Sequence, residues 1–123
     1  YAYARCKSIV KNSNIFDQKF SFEEIKMLKD NNELSLIKLI SQWPRVVELS
    51  AKHMEPHRIC YYLIELASEF HSLWNKGKVD ESLKFIHVDD TSITKSKLAL
   101  INSIMLTIKS GLNILSINPM EEM

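Results

Sequence analysis

Glu55-Pro56-His57-Arg58-Ile59-Cys60-Tyr61-Tyr62-Leu63-Ile64-Glu65-Leu66-Ala67-Ser68-Glu69-Phe70-His71-Ser72-Leu73-Trp74-Asn75 is the stretch on which the reading of the chain turns. Pro56 suits the first turn of a helix, because its missing N–H would be unpaired there anyway and its fixed φ is already helical. Ile59, Leu63, Leu66, Phe70 and Leu73 follow at steps of four and three, which puts all five on one stripe. Gly77 is a natural stop. The spacing therefore predicts a central helix packed against neighbours along that stripe.

Towards the N-terminus, Ala2, Cys6 and Ile9 step by four and three, predicting a helix from Tyr1 to about Lys11 with Tyr1 and Arg5 together on the adjacent face. Ser21 with Glu24 three residues on is a capping-box signature for a short helix reaching roughly Lys29. Asp30-Asn31-Asn32 ends it and caps the next. Leu34, Ile37 and Ile40 form a further stripe running into Gln42-Trp43-Pro44, where the proline places a bend at Trp43. A new helix is predicted from Pro44 through Val47, Ala51 and Met54.

Towards the C-terminus, Lys78 to about Ser92 reads as a loop that anchors Leu83, Phe85, Ile86 and Val88 in the core and ends in N-cap residues. Leu98, Ile101, Met105, Ile108, Leu112 and Leu115 then step by three and four without a fault. Gly111 inside that stripe suggests a change of direction, and Pro119 prevents continuation. The expected fold is all-α: one domain over residues 1–123, an antiparallel bundle of about five helices.

Composition limits what such a bundle does. Sixteen Lys and Arg face fifteen Asp and Glu, so the field of the whole molecule does not concentrate nucleic acid, and any RNA site has to be local. Cys6 and Cys60 stand apart with no CxxC spacing, as expected of two buried thiols in a reducing, cytoplasmic compartment. No apolar run approaches the roughly 20 residues needed to span a bilayer. The chain opens on Tyr1 inside a helical pattern with no cap, so it is expected to be a piece of a longer protein.

Catalytic chemistry finds little support. His53 and His57 have a metal-binding spacing, but Pro56 between them starts a new helix, and no HExxH arrangement is present. Two isolated glycines cannot make a phosphate-cradling loop. The paired carboxylates Glu23-Glu24, Asp89-Asp90 and Glu121-Glu122 fall near helix starts or in the tail, where negative charge is ordinary. What remains is recognition by aromatic residues, since unpaired loop bases stack on rings and on guanidinium planes. Trp74 stands at the edge of the central stripe, placed either to close the bundle or to face a groove. A stand-alone helical enzyme has no constellation to support it, whereas a helical protein-interaction module remains an alternative.

Four segments together resemble the C-terminal, DALR-type anticodon-binding domain of arginyl-tRNA synthetase, a class I synthetase family. They are Tyr1-Ala2-Tyr3-Ala4-Arg5; Gln42-Trp43-Pro44-Arg45-Val46-Val47; the central stretch with Glu55-Pro56-His57-Arg58 and Phe70-His71; and Lys97 onward to Pro119-Met120-Glu121-Glu122-Met123. The resemblance covers nearly the whole chain. It implies an all-helical domain that binds the anticodon loop of arginine tRNA, with no cofactor of its own. The parent enzyme would use ATP and Mg²⁺ in a catalytic domain, whose motifs do not occur here, so the chain alone is expected to be inactive and monomeric. Carried over by position, the anticodon contacts fall on Tyr1, Arg5, Phe70, Trp74 and Met123. Lys76 and Lys78 are candidate phosphate contacts by charge. Tyr3 stands where the family has histidine, Glu122 where it usually has arginine, and Phe70 where some relatives have tyrosine.

Overall fold

The computed structural model describes residues 1–15 and 19–122. All regular structure among them is helical: α1 (Ala2–Asn12), α2 (Phe22–Ile25), α3 (Asn31–Ser41), α4 (Trp43–His53), α5 (His57–Lys76), a 3-10 turn (Glu81–Leu83) and α6 (Thr91–Ile114). Five of these run for eleven residues or more and α2 is a single turn, matching the expected all-α bundle.

The helix starts follow local chemistry. Ser21 Oγ accepts from the Glu24 N–H at 3.2 Å while the Glu24 carboxylate accepts from the Ser21 N–H at 2.8 Å, the reciprocal bonds of a capping box. Asp30 caps α3 through the Asn32 N–H at 2.8 Å, and Asp90 caps α6 through the Ile93 N–H at 3.0 Å. The corner after α3 falls one residue earlier than the proline suggests. Trp43 is already the first residue of α4, and the joint is at Gln42. Its indole stacks on Tyr62 of α5 at 5.2 Å, and the Tyr62 hydroxyl donates to the Leu39 carbonyl at 2.9 Å, which pins that corner to the central helix. Burial, reinforced by Glu65, pushes the Tyr62 phenol up to about 12, so it stays a donor.

α5 is the hub, touching α1, α3, α4 and α6, and α6 in turn touches α1, α2 and α3. Ile59, Leu66, Phe70 and Leu73 point inward as the spacing predicts, joined by Tyr62, with Leu63 half-buried at the edge. From α6 come Leu98, Leu100, Ile101, Ile104 and Ile108. Cys6 and Ile9 of α1 and Phe85 of the loop close the core. Full burial of one such apolar side chain stabilises by roughly 1.5–3 kcal/mol.

Several expectations are corrected. On α3 the buried residues are Glu33, Leu36 and Leu39, while Leu34 and Ile37 face outward and Ile40 is half-buried. Glu33 turns inward because Lys97 of α6 meets it: one carboxylate oxygen takes the ammonium, and the other accepts from the N–H groups of Lys29 and Asp30 at 3.0 and 3.1 Å. α4 buries only Ser50, with Trp43, Val46 and Val47 half-covered, and leaves Ala51 and Met54 in solvent. Met54 has left the helix, standing in the left-handed region at φ 54° as the residue that ends α4. Val88 is exposed instead of anchored, and Cys60 is exposed where burial was expected. α6 continues through Gly111, whose missing side chain makes room for Leu63: a Cβ there would stand 2.7 Å from Leu63 Cδ2.

Candidate nucleic-acid interface

α1, the end of α5 and the loop after it enclose a cleft of about 500 Å³. Arg5, Ser8 and Asn12 contribute successive turns of α1, Trp74 comes from α5, and Lys78 and Lys84 come from the loop. The wall exists because the chain doubles back tightly after α5. Gly77 permits this, since a Cβ at that position would approach the Leu83 carbonyl oxygen to 3.0 Å. Asp80 caps the 3-10 turn through the Ser82 N–H at 2.9 Å, Lys97 donates to the Ser82 carbonyl at 3.3 Å, and Phe85 drops into the core. Thr94 Oγ fastens the far end, accepting from the His87 N–H at 2.9 Å and donating to the His87 carbonyl at 3.0 Å.

Arg5 and Trp74 line this cleft, and Tyr1 stands beside them against Arg5. The Arg5 guanidinium carbon lies 4.9 Å from the centre of the Tyr1 ring and 5.4 Å from that of Trp74, within the range of cation–π attraction. Tyr1 is 71% exposed. Trp74 is half-buried and stacks on Phe85, with centroids 6.0 Å apart and planes within 15°. Phe70 is wholly buried, 5.2 Å from the His71 ring and 6.0 Å from Phe85, so the structure places it beneath the surface as support with no face open to a base. Met123 lies outside the described residues.

His71 belongs to the site although the aromatic pattern did not single it out. Its Nδ1 lies 3.1 Å from Arg5 Nη1, and its ring sits 5.8 Å from that of Tyr1. Burial and then the Arg5 cation hold its pKa below the ordinary histidine value. Of the two lysines marked by charge, Lys78 lines the cleft, whereas Lys76 is taken up by the Asn32 side chain at the start of α3. Lys84 is the further cation on the rim, held by Glu81 at 2.7 Å in an exposed pair. No acidic residue lines the cleft among the described residues.

Around the other side of α1, the tail returns and Glu121 pairs with Lys7 at 2.5 Å. Glu122 lines the same shallow depression with Ala4 and Lys11, so the departure at that position is set among lysines. Tyr3, the other departure on α1, is buried. His53 and His57 are exposed and on different helices, and no group of three His, Cys, Asp or Glu among the described residues is placed to hold a metal ion. No helix among the described residues is long and apolar enough to cross a membrane.

The chain is similar in sequence to curated proteins. The arginine–tRNA ligase of Jannaschia sp. (strain CCS1) is 40% identical over 123 residues, covering all of this chain and 21% of that protein. Those of Parvibaculum lavamentivorans and Ehrlichia chaffeensis are 43% and 44% identical, again across the entire chain and over 22% and 21% of their own lengths. The chain thus spans about a fifth of the length of these relatives. The model of the DALR anticodon binding domain matches residues 1–123. Matched over its whole length and folded as a helical bundle, this chain belongs to the DALR anticodon binding domain family.

Proposed function

We propose that this chain is the tRNA-binding module of an arginine–tRNA ligase and holds the anticodon loop of arginine tRNA in the cleft between α1 and α5. The observation that carries the reading is the cluster of Tyr1, Arg5 and Trp74, two rings around one guanidinium, of which Arg5 and Trp74 line the cleft. Splayed loop bases stack on such surfaces, each worth roughly 1–3 kcal/mol. Arg5, Lys78 and Lys84 supply the local positive charge that a near-neutral chain needs for contact with phosphates. Phe70 acts from below by supporting Trp74 through Phe85, and Met123 adds a flexible apolar contact on the strength of the family resemblance.

In this reading the chemistry is done elsewhere in the enzyme. A catalytic domain uses ATP and Mg²⁺ to attach arginine. The residues described here do not fit either group: they offer no metal-binding cluster and no glycine-rich phosphate loop. The module works as part of a monomeric enzyme in the cytoplasm, in keeping with two unpaired cysteines. An apolar groove bordered by acids would favour a protein partner, whereas the border here carries Arg5, Lys78 and Lys84 and no acid among the described residues, which favours RNA.

The test is binding of the chain to arginine tRNA and to the same tRNA with an altered anticodon loop, at low and high salt. The expected result is selective binding that weakens with salt and drops about tenfold in Trp74→Ala. Equal affinity for both RNAs, or an unchanged affinity in Trp74→Ala, would remove the cleft as the anticodon site.

A further inference from the structure

The guanidinium of Arg5 is tethered at both ends. Nη2 donates to the Tyr1 hydroxyl at 3.1 Å, within its own helix. Nη1 reaches across to Nδ1 of His71, 66 residues away in sequence, at 3.1 Å. A guanidinium only donates hydrogen bonds, so Nδ1 has to accept, and the imidazole is then neutral with its proton on Nε2. The charged and titratable side chains that face His71 are Arg5 of α1 and the phenol of Tyr1 just before it. Phe70, packed at 5.2 Å on its other side, is apolar. No carboxylate among the described residues acts on the imidazole, and burial with the Arg5 cation depresses the pKa, in agreement with the geometry.

We propose that His71 is a positioning residue for RNA binding: its unprotonated Nδ1 fixes the Arg5 guanidinium across the faces of Tyr1 and Trp74, and protonation releases it and disassembles the site. This deepens the anticodon-loop reading and rests on it. The consequence has an unusual sign. Added positive charge ordinarily strengthens binding to RNA. Here acidification weakens it, because the new proton occupies the lone pair that holds Arg5 and puts two cations in contact.

Two variants separate this role from simple packing. His71→Asn keeps an acceptor near the position of Nδ1 and does not titrate, whereas His71→Ala has no acceptor. Binding is read by fluorescence anisotropy with an RNA hairpin carrying the arginine anticodon loop, at about pH 8 and about pH 4.5, the lower value set well below the ordinary histidine pKa because that of His71 is lowered. The wild-type chain is expected to lose about tenfold in affinity on acidification, on the order of one stacked base. His71→Asn should bind nearly as the wild type does at the higher pH and change little with pH, and His71→Ala should bind weakly at both. Identical pH profiles for the wild type and His71→Asn would overturn the proposal, as would undiminished binding by His71→Ala. Nitrogen-15 spectra of the free chain give a readout that needs no RNA: the Nε2–H tautomer of His71 near neutral pH is expected, and an Nδ1–H tautomer overturns the clamp. A wild-type chain that binds no hairpin while showing the expected tautomer would defeat the anticodon reading and the RNA role of His71 with it, leaving only the Arg5 contact.

Discussion

The Trp74 indole and the Phe85 ring lie nearly parallel, 6.0 Å apart, and they join the outer wall of the cleft to the hydrophobic core. Phe85 is almost fully buried and Trp74 only half so, so the wall of the cleft is mounted on a rigid foundation. The two residues should therefore couple in stability. Trp74→Ala and Phe85→Leu each destabilise the chain, and the double variant is expected to lose less than their sum by about 0.5–1.5 kcal/mol. Strict additivity in urea unfolding would show that the rings are mere neighbours.

The Glu33–Lys97 pair leads to a sharper expectation. Both side chains are withdrawn from water, so removing the cation strands a charged carboxylate in the core. Lys97→Met is expected to cost about 3–5 kcal/mol. Adding Glu33→Gln should recover much of that, because a neutral amide oxygen still accepts from the Lys29 and Asp30 N–H groups. Denaturation midpoints that fall further in the double variant than in Lys97→Met would contradict this account.

Gly111 and Leu63 predict a change of sign. A Cβ at position 111 would meet Cδ2, Cδ1 and Cγ of Leu63 at 2.7, 3.0 and 3.1 Å. Gly111→Ala gains roughly 1 kcal/mol of helix propensity but overpacks that contact by a larger amount, so it is expected to destabilise the wild type. In a Leu63→Ala background the same substitution should stabilise. Thermal melts of the four chains decide it.

The two thiols should behave oppositely. Burial pushes the Cys6 thiol up to about 12, and its surface is fully covered, while Cys60 is exposed on α5. A thiol-reactive dye is expected to label Cys60 promptly in the folded chain and Cys6 only on unfolding, because the thiolate is the reacting species. Removing Cys60 by Cys60→Ser should abolish the fast phase. Two thiols reacting at one rate would mean that the α1 face is open.

What the sequence discloses and what it hides divide along physical lines. The helices of α5 and α6 are legible because long apolar stripes leave one way to turn them, and the caps at Ser21, Asp30 and Asp90 are legible because they are local. α3 is read in the wrong register since five of the seven residues from Leu34 to Ile40 are apolar, so every face looks like an inner one. The choice is made by Lys97, 64 residues further on, which no local pattern contains. Val88 and Cys60 mislead for the simpler reason that an apolar residue in sequence carries no statement of where its neighbours end. In the site, Tyr1 and Arg5 can be paired by eye because they are one helical turn apart. His71 cannot, since its partner comes from another helix and its own neighbour in sequence, Phe70, dominates the pattern.

The link between Glu33 and Lys97 also imposes an order on how the molecule comes into being. α3 emerges from the ribosome well before α6, and until α6 arrives the Glu33 carboxylate has no cation and must stay hydrated. The contact is non-local, 64 residues apart in sequence, so the entropy of closing that loop has to be overcome before the pair contributes. Since Lys97 also fastens the loop that walls the cleft, the last helix to be made both completes the core and holds the cleft in shape.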